Sequence, residues 1–463
     1  MKKPLLLAIF FISLSVIILG TGCKKSQTTT SAPVLSTTDV ILDVTSTSAQ
    51  SGGTVSSIGT SAITANGVCY SSTNQVPTIK DSVTKEAIIY YSYTFTSNLS
   101  KLLPNTTYYV RAYATNSVGT GYGKVVKFTT STTLSAVTGV VTTFAGSAAG
   151  GYADGTGAAA QFSSPTGLVV DPQGNIYVSD SFNNRIRKIT PGGTVTTFAG
   201  NGSPGYVDGP AATAQFYAPQ GLAIDAKGNV FVADYGNNVI REISTAGIVS
   251  TFAGNTIAGY VDGAATVAEF NAPAGIAFDP SGNLFVADRH NNMIRKVTTA
   301  GVVSTFAGVT TAGYVNATVN TTTGVYAFFD NPNSLVVDAS GNIFVADLGN
   351  SAIREITPAA VVTTVGGGPG QAALLGYPAG ICMDTKGDFF ITDEAGRIIE
   401  LTASKVLYIL AGATNVIGFT DGSGTAAQFS TPQGIGVDAA GNVFVSDLNN
   451  NSVRKVVVTD TNN

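Results

Sequence analysis

The chain has 463 residues, enough for two or more domains, and 44% are hydrophobic while only 11% are charged. A net charge of -4 gives no basic field, which excludes nucleic acid as a partner. One His and three Cys leave too few ligands for a histidine-built metal centre and argue against a disulfide framework.

Lys2 and Lys3 precede an apolar run over 4–19 and the small residues Gly20, Thr21 and Gly22. That order is a secretory signal over residues 1–22. Small residues running into Cys23 resemble a bacterial lipoprotein signal, with Gly20 where leucine is usual. The resemblance implies lipidation at Cys23 and a chain held to the membrane through that lipid alone. Lys24 rather than Asp then implies an outer-membrane address in the cell envelope. Ordinary cleavage or an uncleaved anchor are the alternatives. No other stretch approaches the ~20 apolar residues needed to span a bilayer. Polar, Ser- and Thr-rich residues 23–32 read as a flexible tether.

Residues 33–130 carry alternating apolar runs at 63–70, 88–96, 107–114 and 124–128, separated by Gly, Ser, Asn and Pro turns. Short alternating strands over about a hundred residues predict a β-sandwich. The stretch 102–116, LLPNTTYYVRAYATN, resembles a fibronectin type III domain, with Leu102, Pro104, Thr106 and Tyr108 at alternate positions. The resemblance makes Tyr108 a corner residue that bonds back to the backbone, and the domain a spacer. Cys69 and Cys382 lie on apolar strands of different units, so both are expected as buried free thiols.

Over 138–463 one unit recurs. Its copies start at Pro165, Pro219, Pro273, Pro332, Pro378 and Pro432, at spacings of 54, 54, 59, 46 and 54. Each holds three strand-like runs hinged by Asp-x-x-Gly-Asn and similar turns, where Gly and Asn take positive φ without strain. Strands apolar on both faces must be sandwiched between neighbours, and radial packing provides that. A fourth run carrying Thr-Phe-Ala-Gly or a variant follows each copy but the last, and the run at 140–144 supplies it there. The motif PxGxxxDxxGNxxVxDxxNNxIRxI resembles the NHL repeat. The expected fold is all-β: a six-bladed NHL β-propeller over 138–463, closed by the strand at 140–144, behind the fibronectin III-like sandwich.

The acids repeat with the strands. Asp171, Asp225, Asp279, Asp338, Asp384 and Asp438 stand where a carboxylate bonds turn amides. Asp180, Asp234, Asp288, Asp347, Asp393 and Asp447 end the second strand, with an Arg seven residues on in five copies and Ile399 in the fifth. A structural Asp to Arg pair, dispensable in that copy, is expected; a ring of ligand-binding arginines is the alternative. Asp154, Asp208, Asp262 and Asp421, in Gly-Tyr-x-Asp-Gly linkers, read as turn residues.

No catalytic, metal or cofactor site emerges. Zinc-dependent lyase relatives need several histidines, and His290 sits alone in a variable loop slot. A calcium site needs carboxylates at the channel mouth, but the residues after each Pro are Thr166, Gln220, Ala274, Asn333, Ala379 and Gln433. Symmetry breaks before copy four, where the linker is longer and brings Tyr326 and Phe328, with Asp330 near; the linker before copy five is shorter and lacks Gly-Tyr-x-Asp-Gly. The expected function is a monomeric, non-enzymatic module docking a protein or glycan there, through Tyr326, Phe328, Asp330, Asn333 and His290. The alternative is a metal-dependent propeller hydrolase or lyase.

Overall fold

A computed structural model describes residues 30–459 apart from 40, 43, 88–92, 131–137, 318–325, 369–374 and 404–405. The signal stretch and Cys23 therefore lie outside the described residues. Among those described, no helix is long and apolar enough to cross a membrane.

Each repeat folds into an antiparallel sheet, here numbered I to VI. In sheet I the strands are Pro165–Val170, Ile176–Asp180, Arg185–Ile189 and Thr194–Ala199, from the inside outward. The other inner strands are Leu222–Ile224, Pro273–Phe278, Pro332–Val337, Pro378–Met383 and Pro432–Val437. Between first and second strands, the Asp171 carboxylate accepts the N–H groups of Gln173 and Asn175, and Gly174 takes φ 79°. This turn is what sets the register that buries every second-strand residue from Ile176 to Asp180.

The inner strands touch in cyclic order and close a propeller-like ring. Between neighbours they come so close that a Cβ on Gly167 would meet the Gln220 carbonyl at 2.0 Å. Different donors tie the joints: Ser179 Oγ to Gln220 O at 2.5 Å, Gly221 N to Ala274 O at 2.9 Å, Asn333 Nδ2 to Ala379 O at 2.8 Å. Phe162, Phe216, Phe270, Phe329 and Phe429, one from each of five linkers, are fully buried in the seams. Each contributes about 2 kcal/mol by that burial. Inside the ring, residues such as Leu168, Ile276, Leu335 and Ile435, with strand backbone between them, wall a central cavity of about 310 Å³.

Sheet VI is shared by the two ends of this region. Strand Thr138–Gly146 lies antiparallel to Ser452–Thr459, with Thr138 opposite Thr459. Short rim strands from the linkers add a fifth member to sheets I, II, III and VI: Gly155–Thr156, Gly209–Pro210, Gly263–Ala264 and Gly422–Ser423.

Residues 34–129 form two further groups of strands over one core. Val34–Thr37, Ser48–Ser57 and Tyr93–Ser100 face Ala65–Ser71, Ser82–Val83, Thr107–Thr115, Thr120–Tyr122 and Val126–Thr129. Leu35, Val55, Val68, Phe95, Val110 and Phe128 share that core. Tyr108 Oη accepts the N–H of Leu103 at 2.9 Å. The expected run at 63–70 begins as a strand only at Ala65, and 88–92 lies outside the described residues.

One feature was not foreseen. The strand Ile41–Leu42 pairs in parallel with Val406 and Leu407 on the outer edge of sheet V. It takes the rim place that the shortened linker before sheet V leaves empty. Leu42 enters the apolar cluster of sheets IV and V, and Val406 enters the core of the N-terminal unit. Beside this joint, Thr37, Asp39, Lys124, Tyr314, Asn316 and Thr364 line a polar cleft of about 460 Å³.

Candidate functional site

The loop face, opposite the Gly-Asn turns, is built on buried charge. Asp180 accepts Ser163 N at 2.7 Å through Oδ1, and Asn183 Nδ2 and Arg187 Nη1 through Oδ2 at 2.9 and 2.8 Å. Asp234, Asp288, Asp347 and Asp447 repeat this with Arg241, Arg295, Arg354 and Arg454. All five arginines have fully buried side chains, which rules out a ring of ligand-binding guanidinium groups. Burial pushes the carboxyls of Asp234, Asp288, Asp347 and Asp447 up to about 6, against the pull of their Asn, Arg and backbone partners.

Two expectations are corrected here. The linker residues Asp154, Asp262 and Asp421 are not merely turn residues: each takes the second arm of an Arg fork, at 2.6 to 2.7 Å, and Asp208 does the same. In sheet IV, Asn316 replaces that carboxylate at 2.9 Å. Nor is the pair dispensable in sheet V. Arg397, four residues after Asp393, reaches back through Nε at 3.0 Å and through Nη2. The loop there is one residue shorter, so the guanidinium comes from a different strand position.

After each of the second-strand Asp residues except Asp393 the chain makes one turn of 3₁₀-helix, ending in sheets I, II, III and VI on an Asn of positive φ: Asn184 at 52°, Asn238 at 57°, Asn292 at 54°, Asn451 at 49°. That Asn side chain accepts an N–H from the next sheet, as Asn184 Oδ1 does from Ala218 at 3.0 Å. The loops are thus rigid platforms for the residues between.

At the channel mouth two positions alternate: the residue after each inner-strand Pro, and the first residue of each short helix. Thr166 and Ser181 hydroxyls meet at 2.5 Å. Across the joint of sheets V and VI, Gln433 Nε2 donates to Glu394 Oε1 at 2.6 Å. Arg289 and Asn333 hold the same two positions across the joint of sheets III and IV. Asn333 is only 9% exposed and its Nδ2 is bonded; among the described residues its Oδ1 has no partner and the buried Arg289 Nε has none. Next to them His290 Nε2 lies 3.2 Å from Tyr235 Oη, and partial burial, then Arg289, lowers the imidazole pKa.

Asn333 thus follows the inner-strand Pro332 while His290 sits in the short helix of sheet III, with Asp330 in the linker before sheet IV. Asp330 gives its N–H to Asp347 and accepts Asn331 Nδ2 at 2.8 Å. Tyr326 and Phe328 are half-buried instead. Phe328 lies over Gly313, where Gln161, Gln215, Glu269 and Gln428 cover the equivalent glycines, and its carbonyl accepts Arg354 Nη1 at 3.0 Å. Sequence reading missed Arg289, Tyr235 and Glu394. Their signal was available: the residue after the second-strand Asp changes from copy to copy. Cys69 is buried and Cys382 lies half-buried in the wall of the central cavity; both are free, with the Cys69 thiol pushed up to about 11 by burial and Cys382 pushed up further. Among the described residues no three His, Cys, Asp or Glu are grouped to hold a metal ion.

The NHL repeat model matches residues 162–189 and 216–241, and the teneurin NHL domain model matches 256–357. SUPPRESSOR OF QUENCHING 1 of Arabidopsis thaliana is 29% identical over 63% of this chain and 30% of that protein. NHL repeat-containing protein 2 of Gallus gallus is 28% identical over 63% of this chain and 46% of that protein. The chain thus spans less than half the length of these relatives. Among solved structures, a protein of unknown function from Bacteroides thetaiotaomicron covers 93% of this chain and 98% of its own, at 18% identity and TM-score 0.54. An auxiliary nutrient binding protein from the same organism covers 92% and 98%, at 15% identity and TM-score 0.52. With the geometry above, these likenesses show an all-β, propeller-like fold that carries NHL repeats.

Proposed function

We propose a non-enzymatic binding module that docks a glycan or a protein on the loop face, at the joint of sheets III and IV. The observation that carries this is Asn333, a nearly buried amide whose oxygen has no protein partner at the mouth of a ring. A buried acceptor left unbonded costs about 1–3 kcal/mol, which a ligand hydroxyl or N–H would recover. Arg289 and His290, in the short helix of the neighbouring sheet III, and Tyr235, in contact with His290, supply donors and an aromatic face on the same loop side. A neutral set of amide, phenol and imidazole with one guanidinium favours a glycan, in keeping with the nutrient binding named for one structural neighbour.

In this reading residues 33–130 are a fibronectin III-like spacer and 138–463 a six-bladed propeller. A lipid on Cys23 would hold both at the outer membrane. An oligosaccharide array followed by calorimetry on the hits tests the binding. Asn333→Ala and Arg289→Ala are each expected to weaken the hit about tenfold. Arg289→Ala should leave the melting temperature little changed, whereas Asn333→Ala also loses its bond to the Ala379 carbonyl, at about 1 kcal/mol. A saccharide hit indifferent to both substitutions, or none at all, would sink the glycan reading. Calcium titration with thermal melting tests the enzyme alternative: a stoichiometric ion with a clear shift would favour a metal-dependent hydrolase.

A further inference from the structure

In sheets I, III and VI the second strand carries an aromatic ring covered twice. A phenylalanine of the outer strand meets it edge-on: Phe198 on Tyr177 at 4.9 Å, Phe306 on Phe285 at 5.1 Å, Phe144 on Phe444 at 5.1 Å. A lysine of the third strand lays its ammonium over it: Lys188, Lys296 and Lys455, at 5.3, 5.5 and 5.8 Å from the ring centroids. Sheet II keeps the phenylalanine, Phe252 on Phe231 at 4.9 Å, and has Glu242 for the lysine.

Sheet IV fills both positions differently, although its ring stays buried. Around Phe344 the phenylalanine position holds Val365 and the lysine position holds Glu355. Phe344 leans on Phe389 of the next sheet, at 4.4 Å. What remains is a groove of about 550 Å³ on the turn face, with Phe344, Val365, Met383, Phe389 and Leu401 as its floor and Glu355 in its wall. The equivalent groove between sheets III and IV, where Phe306 and Lys296 remain, measures about 320 Å³. Leu42 packs into the same apolar cluster as Phe344, Val365 and Phe389.

The charges in the groove have different duties. The carboxylates of Asp338 and Asp384 accept their own turn amides. Lys386 also lines the groove. The Glu355 carboxylate has no ion pair or hydrogen bond among the described residues. An apolar floor that includes two phenyl rings, with a carboxylate in its wall that is unpaired among the described residues, is complementary to one kind of molecule. We propose that this groove binds a small organic cation carrying an aromatic ring, the ring on the floor of Phe344, Val365 and Phe389 and the ammonium beside Glu355.

The test is calorimetry on the purified full-length protein with phenethylammonium. Propylammonium serves as the cation-only probe and benzyl alcohol as the ring-only probe. Saturable binding of phenethylammonium is expected, at least tenfold tighter than either fragment. Glu355→Lys and Val365→Phe restore residues that other sheets use, and each is expected to weaken it at least tenfold. The loop-face changes Asn333→Ala and Arg289→Ala should leave it untouched, which separates this site from the proposed glycan site. Should Val365→Phe displace Leu42 and unfold the chain, the half-exposed Glu355→Lys decides alone. No saturable binding, or equal binding by the wild type and Glu355→Lys, overturns the proposal.

Discussion

The Arg forks show what single residues carry in this molecule. Arg295 is fully buried and bridges buried Asp288 at 2.8 Å and half-exposed Asp262 at 2.6 Å. Removing the guanidinium leaves Asp288 charged and unpaired in the seam. Arg295→Ala is expected to lower stability by about 3–5 kcal/mol in urea denaturation. Arg295→Lys should rescue little of it, because one ammonium cannot reach both carboxylates in a planar fork. The seven-residue Asp to Arg spacing was legible in sequence. The second carboxylate, 33 residues before the Arg, was not, because nothing local joins a linker acid to a strand base.

The same carboxyls set a pH dependence. Asp234, Asp288, Asp347 and Asp447 titrate near 6 when folded and about 3.9 when unfolded. Between those values the folded chain binds protons that the unfolded chain does not. Their contribution is therefore fully present below about 4 and is lost as pH rises through 6. Asp393 runs the other way: burial raises it, but Arg397 and three backbone N–H groups outweigh that and hold it below the usual range. Asp180 and Glu242 are also raised by burial, and Asp81 and Asp421 are also lowered by their hydrogen bonds. With six carboxyls raised against three lowered, the urea midpoint is expected to be higher at pH 5 than at pH 7. Asp288→Asn should narrow that gap; a midpoint that falls on acidification would refute this assignment.

At the scale of elements, the strand Ile41–Leu42 does more than its length announces. Two residues show no periodicity, so sequence could not place them in a sheet with residues 406–407. The legible trace was indirect, namely the missing Gly-Tyr-x-Asp-Gly before sheet V. That break of symmetry, taken as a mark of ligand binding, is accounted for by a strand from elsewhere in the chain. Leu42 is 6% exposed, and Leu42→Ala is expected to cost about 2–5 kcal/mol. Scanning calorimetry should then show the N-terminal unit melting apart from the ring. The changed neighbours of Phe344 were hidden for a related reason: Val365 and Glu355 are ordinary residues until set against the copies that differ.

At the scale of the whole molecule, the repeat itself was plainly legible, because six copies fix strand number, turns and facing side chains together. The ring depends on one seam, where Thr138–Gly146 meets Ser452–Thr459. A chain ending at residue 451 would leave Val141 and Val445 facing water in an opened sheet. It is expected to lose its single cooperative transition and to aggregate at temperatures where the intact chain is folded.

A ring of near-equal sheets has no front of its own, since a turn of one sheet carries it almost onto itself. Filling the rim of sheet V with Ile41–Leu42 gives this ring a compass bearing. Whatever settles on Asn333 meets the N-terminal unit always at the same azimuth, one sheet round from the sheet that carries it, so any partner that touches both must approach from that one side.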